Sequence, residues 1–222
     1  MDINLDELET TIDEIDDTNV QLTSAELIEM MEEVWLNEKF APEILPNKQE
    51  IVDCVLGQLA FMEENLATLP CSDFKKGIHQ LEVDRIRYLV TSYLRHRLEK
   101  IETYVFHTLK QEEQRTERDE ESYLTEAEQE FAVKYRQGLE QHFENVMNFH
   151  PGLPFEDWKN QLIVPNTKSF VFLKAKSRVE GVVVDGGRDD DSKLVDLNLG
   201  SQLIISYNSV ADLVKKGEVR LI

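Results

Sequence analysis

Residues 81–102, LEVDRIRYLVTSYLRHRLEKIE, decide the fold, because they read as a helix whose apolar stripe is interrupted by an arginine. Val83, Ile86, Val90, Tyr93, Leu94, Ile101 and Tyr104 recur at three- and four-residue steps, the spacing that gathers side chains on one helical face. Arg97 stands on that face, four residues after Tyr93 and four before Ile101. A charge there requires a partner, and a guanidinium fork in a packed seam calls for a carboxylate from another helix or another chain. The reading leans toward assembly.

Outward from this stretch, the helix is expected to begin near Ser72 and to continue past Lys110. Nearly 40 residues at 1.5 Å rise span roughly 55–60 Å, about twice the width of a small domain, so short neighbouring helices cannot cover all of its apolar face. Three further helices are expected around it. Thr23 with Glu26 makes a capping box that opens the first, which ends near Pro42. Asn47 with Glu50 is read as opening the second, which stops at Pro70, and Thr125 with Glu128 as opening the last, which ends before Pro151. The run Lys110 to Glu121, KQEEQRTERDEE, has no apolar stripe and reads as a frayed helix end or a loop in solvent.

After His150 the character changes. Residues 151–167 contain three prolines and read as a linker, and short β-type runs follow at 169–175, 179–185, 193–199, 202–207 and 218–222, with one helix at 209–216. The fold class is therefore α+β: an acidic tail over 1–22, an all-helical domain over 23–150 with a very long third helix, the linker, and a small β-rich domain over 168–222. A β unit of about 55 residues without disulfide or metal is marginal alone and should dock on the helical part or on another subunit.

Charge is distributed unevenly. The first 38 residues hold thirteen acids and no Lys or Arg, whereas residues 168–222 hold nine bases and eight acids, within a chain of net charge −20. So negative a field disfavours direct binding to phosphate backbones. The chain has no apolar run approaching the ~20 residues of a bilayer helix and no signal-peptide pattern at its start, and its two cysteines, Cys54 and Cys71, lack paired spacing, so it is expected to be intracellular with free thiols. In the tail, Ile3, Leu5, Leu8, Ile12 and Ile15 alternate with acids, which fits either plain disorder or an amphipathic segment that folds into a partner's groove.

No catalytic constellation stands out. Gly186-Gly187 is followed by Arg188-Asp189-Asp190-Asp191, which repels phosphate and lacks the spacing of a calcium loop. The five histidines have no zinc-site spacing, and Cys54 sits among apolar residues of a helix, as a small packed side chain would. The cluster Arg85, Arg87, Arg95, Arg97 and Lys100, with Tyr88 and Tyr93, could bind single-stranded DNA as an alternative function. Glu82, Asp84, Glu99 and Glu102 interleave with it at pairing distance, however, and a self-neutralised helix is the simpler reading.

The stretches VDRIRYLVTSYLRHRLEKIE, LTEAEQEFAVKYRQGLEQHF, VPNTKSFVFLKA and YNSVADLVKKGEVRLI, in that order, resemble the Sld-five subunits of the GINS family, and the likeness covers about Thr23 to Ile222. The arginine-tyrosine pattern from Arg85 to Lys100 is its most specific part. The resemblance implies a non-enzymatic nuclear protein with no cofactor. It implies a heterotetramer with the other three GINS subunits, closest to the Psf-one type, that joins Cdc-forty-five to the MCM ring in the helicase of DNA replication. Subunit contacts are then expected at Arg85, Ile86, Tyr93, Arg97, Leu98, Ile101 and Tyr104, and at Val219, Leu221 and Ile222 of the last strand. The start, MDINLDEL, resembles short peptides that engage the Ctf-four/AND-one hub, through Ile3, Leu5 and Leu8.

Overall fold

Local signals place the helices. Thr23 N donates to Glu26 Oε2 (2.9 Å) and Glu26 N donates back to Thr23 Oγ1 (3.3 Å), the reciprocal capping box that opens α1 (Ser24–Phe40). The same device at Thr125 and Glu128 opens α5 (Glu126–Phe149). Between them lie α2 (Gln49–Thr68), α3 (Phe74–Thr103) and α4 (Val105–Glu117). The computed structural model describes residues 23–70, 73–149, 163–184 and 193–222. The acidic tail, Cys71, most of the proline-rich linker and the Asp189–Asp191 loop lie outside these.

Two helical expectations are corrected. Asn47 does not cap α2: its N–H donates to Tyr123 O (3.1 Å) and its side-chain amide to Ser122 O (3.2 Å), so its polar groups face a distant loop. The single long third helix is divided at Tyr104, whose φ of −119° and ψ of 28° leave the α region. No proline or glycine causes the break. Its effect is that Val105 and Leu109 of α4 join Ile101 in one buried cluster with Ile44, Leu124 and Ala132.

The described residues form two units. The first holds those up to Val34 together with Gln49–Thr91, and the second holds Trp35–Lys48 together with Ser92–Ile222. In the first, Leu27, Met31, Val52, Val55, Leu66, Val83, Ile86 and Val90 are buried at helical spacing. Its arginines are ion-paired: Arg85 with Glu32 and with Glu82 (2.7 Å), Arg87 with Glu63 and with Asp84 (3.0 Å).

In the second unit, β1 (Phe170–Ala175) is the centre of a three-stranded antiparallel sheet between β4 (Gln202–Ser206) and β5 (Val219–Leu221), and β2 (Val179–Val184) with β3 (Lys193–Leu197) forms a separate antiparallel pair. Helix α6 (Tyr207–Lys215) leads into β5 through a left-handed Gly217 (φ 76°), with Glu218 N donating to Leu213 O (3.0 Å) and Gly217 N to Val214 O (3.1 Å). That pair of bonds closes the helix end and aims the last strand back along β1. Alternate residues Val171, Leu173 and Ala175 are buried with Tyr207, Val210, Val214, Val219 and Leu221. Ala41 and Leu45, from the segment after α1, belong to this same core. So small a β unit is thus completed by residues more than a hundred positions earlier, as its marginal size requires.

Candidate functional site

Arg97 on α3 is 1 % exposed, and all five of its N–H donors are engaged. Nε and Nη2 grip Glu128 in the bidentate manner, at 2.7 Å to Oε1 and 2.9 Å to Oε2. Nη1 donates to Leu45 O (2.8 Å) and to Glu38 Oε2 (3.3 Å), and Nη2 also donates to Tyr123 O (2.8 Å). The capping box puts Glu128 in the first turn of α5, so the same carboxylate closes a helix end and holds the guanidinium. Burial opposes the charges most strongly, yet the mutual bonds prevail: Glu128 is held below the usual carboxylate range and Arg97 is held protonated.

One turn on, Lys100 donates to Glu38 Oε1 (2.7 Å), to Glu43 O (2.9 Å) and to Glu38 O. Its pKa is lowered, because desolvation outweighs the attraction of Glu38. Tyr93 lies on the same face of α3, with its ring centroid 5.7 Å from Arg97 Cζ, and burial pushes its pKa up to about 12. Glu43 extends the network to the β part by accepting from Tyr207 Oη (3.0 Å) and Lys215 Nζ (2.8 Å). Burial, and then Glu43, raises the Tyr207 pKa. Asn37 Oδ1 accepts the N–H of Leu221 (2.7 Å), so α1 satisfies the outer edge of the final strand.

A second node lies on α4. Glu112 is 5 % exposed and accepts from Arg115 Nη1 (2.5 Å), Ser122 Oγ (2.5 Å) and Tyr123 N (3.3 Å), while the Arg115 guanidinium covers the Tyr123 ring at 3.3 Å. The expectation that Lys110 to Glu121 is wholly solvated fails at this residue. A buried carboxylate in a charge-rich run leaves no periodic trace.

The arrangement makes joints between segments of this chain. The carboxylates expected for Arg97 are Glu128 and Glu38 of this chain, and no guanidinium donor is left for another subunit. Of the other residues expected at subunit contacts, Ile86, Tyr93, Ile101, Val219 and Leu221 are buried in this chain, whereas Arg85, Leu98 (38 %) and Ile222 (37 %) are exposed and Tyr104 is half-buried. The hub-binding residues Ile3, Leu5 and Leu8 lie outside the described residues. Four of the five cations of the alternative DNA face on α3 are taken, since Arg97 and Lys100 are committed inside and Arg85 and Arg87 are paired, which leaves exposed Arg95. Cys54 is half-buried on α2. Among the described residues no group of three or more His, Cys, Asp or Glu is placed to hold a metal ion, and no helix is long and apolar enough to cross a membrane.

Sequence reasoning missed Glu38, Glu43, Asn37 and Glu112. It also missed an outward feature of the first unit. Phe74 (81 % exposed), Ile78 (52 %), Leu81 (71 %) and Tyr88 (60 %) recur along α3 at the seven-residue repeat of a helical seam, with Arg85 between the last two.

Comparison with known proteins supplies a context. Residues 165–222 match the family model described as DNA replication complex GINS protein SLD5 C-terminus, and residues 57–147 match the GINS complex protein helical bundle domain. The chain is 46 % identical over 204 residues to the DNA replication complex GINS protein SLD5 of Mus musculus, covering 90 % of this chain and 91 % of that one. It is 44 % identical over 206 residues to the human protein of that name, with 91 % and 92 % covered, and 28 % identical over 213 residues to the Arabidopsis thaliana one, with 90 % and 93 % covered.

Proposed function

Because the chain belongs to the SLD5 family of GINS proteins, which act in DNA replication, we propose that it is a non-catalytic, nuclear subunit of a heterotetramer with the other three GINS subunits. It packs most closely on the Psf-one type and joins Cdc-forty-five to the MCM ring in the replicative helicase. Its helical domain supplies the subunit seams, its β domain completes one of them, and the tail residues Ile3, Leu5 and Leu8 engage the Ctf-four/AND-one hub.

The observation that carries this reading is the exposed α3 stripe of Phe74, Ile78, Leu81 and Tyr88. Large apolar residues repeated along one helix face in this way favour burial against another helix. The contact set expected from sequence is accordingly narrowed. Arg85, Leu98, Tyr104 and Ile222 remain as outward contacts, the α3 stripe joins them, and the buried residues act by holding this chain in shape. Co-expression with the other three GINS subunits should give a 1:1:1:1 particle by size-exclusion chromatography and mass analysis. Ile78→Glu with Leu81→Glu should release this subunit while leaving its own helical circular dichroism intact. A particle of unchanged composition and yield from that variant would refute the reading.

A further inference from the structure

The outward face of the three-stranded sheet takes no part in the Arg97 network. β1 places Phe170, Phe172 and Lys174 on it, and the register sets Ser206 against Phe170, Ile204 against Phe172, and both Gln202 and Arg220 against Lys174. Phe170 is 75 % exposed, Phe172 60 % and Ile204 58 %. One feature calls for an anion. Lys174 and Arg220 are like charges directly opposed on neighbouring strands, an arrangement that is unfavourable without a counter-charge. Yet none of these outward positions carries a carboxylate, in a chain with 44 acids. The nearest along the ladder, Glu218, stands two residues before Arg220 at the end of the same face, opposite Lys176, whose N–H its carbonyl accepts.

We propose that this sheet face binds single-stranded DNA, with Phe172 and Phe170 stacking on successive bases and Lys174 with Arg220 meeting the backbone phosphates. Exposed aromatics on a sheet beside cations are the elements of a stacking platform, which accepts any base because every base has a π-face. The two rings stand two residues apart on a strand, roughly 6.7 Å. That is about twice the 3.4 Å repeat of a stacked strand, so the bases must already be drawn apart and a duplex is excluded. A protein covering the same face would bury both cations and would have to bring carboxylates to them. The choice of DNA over RNA follows from the family's place in replication; the site itself does not depend on the assembly proposed above. The net charge of −20 repels a polyanion at long range, so binding is weak and confined to low salt.

The test is fluorescence anisotropy of a labelled oligothymidylate, titrated with the full chain and with the co-purified assembly across a salt series. The single strand should bind and a duplex should not. Phe172→Ala should weaken binding about tenfold, and Phe172→Trp, which keeps a stacking ring, should restore it. Replacing Lys174 and Arg220 together by Ala should flatten the slope of log K against log salt by about 1.4, at roughly 0.7 for each phosphate of a single strand. Absence of binding at low salt, or equal affinity of wild type and Phe172→Ala, overturns the proposal. So does an assembly in which a photocrosslinker at position 172 reacts with another subunit and the oligonucleotide does not compete.

Discussion

Arg97→Ala should be among the most damaging single substitutions in the second unit. It removes a bidentate partner from Glu128, a third contact from Glu38, and the donors to two buried carbonyls, Leu45 O and Tyr123 O. Glu38 keeps Lys100, and Glu128 keeps the N–H of Thr125 (3.0 Å), so neither carboxylate is left wholly bare. The loss therefore falls near the lower end of the range for breaking a buried pair, about 3–5 kcal/mol. At about 2–4 °C for each kcal/mol in a chain of this size, a loss of about 3 kcal/mol should drop melting by about 6–12 °C. Thermal unfolding by circular dichroism reads this directly, with Lys134→Ala as the control, since Lys134 pairs with Glu130 in solvent (side chains 71 % and 68 % exposed).

A cycle with Arg97→Met, Glu128→Gln and both together should give a coupling of about 2 kcal/mol or more. The pH dependence has a definite sign. Glu128 titrates below its unfolded value, so its contribution is complete above about pH 4.3 and disappears as pH falls through the folded pKa. Wild type and Arg97→Ala should then converge in acid. If Arg97→Ala melts within 2 °C of Lys134→Ala at pH 7, the node is not what holds this unit together.

Three further outcomes follow from the surroundings of the node. Asn37→Ala leaves the buried N–H of Leu221 without an acceptor, which should cost about 1–3 kcal/mol and speed hydrogen exchange at that amide. Deleting residues 219–222 removes Val219 and Leu221 from the β core, each worth about 1.5–3 kcal/mol. The β-type melting transition should broaden or vanish, and an unchanged curve would show the strand to be dispensable. Burial lowers the pKa of half-buried His107, so the unfolded chain takes up that proton first. Stability should fall as pH drops from about 6.5 toward the folded value, and His107→Gln should flatten that slope.

What was legible in the sequence is what local rules encode. Thr23 with Glu26 and Thr125 with Glu128 are capping boxes in the sequence and in the structure, because both partners lie within one helical turn. The β runs were legible because alternation and turn glycines are also local, as at Gly200 between β3 and β4. Asn47 satisfies the same local rule yet does not cap, since Ser122 and Tyr123 compete for its groups from 75 residues away. Glu38, Glu43 and Glu112 were invisible because a buried carboxylate looks like any solvated one until its cation is placed. Most of the stripe on α3 was read correctly as packed, but Leu94 is 36 % exposed and Tyr104 is half-buried at the break, and periodicity does not say against what the rest packs. Val83 and Ile101 are buried in this chain, whereas Phe74 and Leu81, on the same helix, stand in solvent.

That last distinction separates the two proposed contacts by their response to salt. The arginines of the first unit are already neutralised, Arg85 by Glu32 and Glu82 and Arg87 by Glu63 and Asp84, which leaves Lys75 and Lys76 as the cations beside the exposed α3 stripe, whose surface is otherwise chiefly apolar. Burial of apolar area does not weaken as the Debye length shrinks, and kosmotropic salts strengthen it. The subunit seam should accordingly survive a salt increase that releases counterion-dependent ligands. The sheet face works in the opposite sense, because Lys174 and Arg220 have no carboxylate opposite them and can attract an anion only while screening is weak. Raising salt from about 50 to 200 mM, the range over which phosphate contacts lose most of their affinity, should therefore strip oligonucleotide from the assembly without dissociating it. If the subunits separate before the oligonucleotide leaves, the seam is electrostatic and the assignment of the α3 stripe to it is wrong.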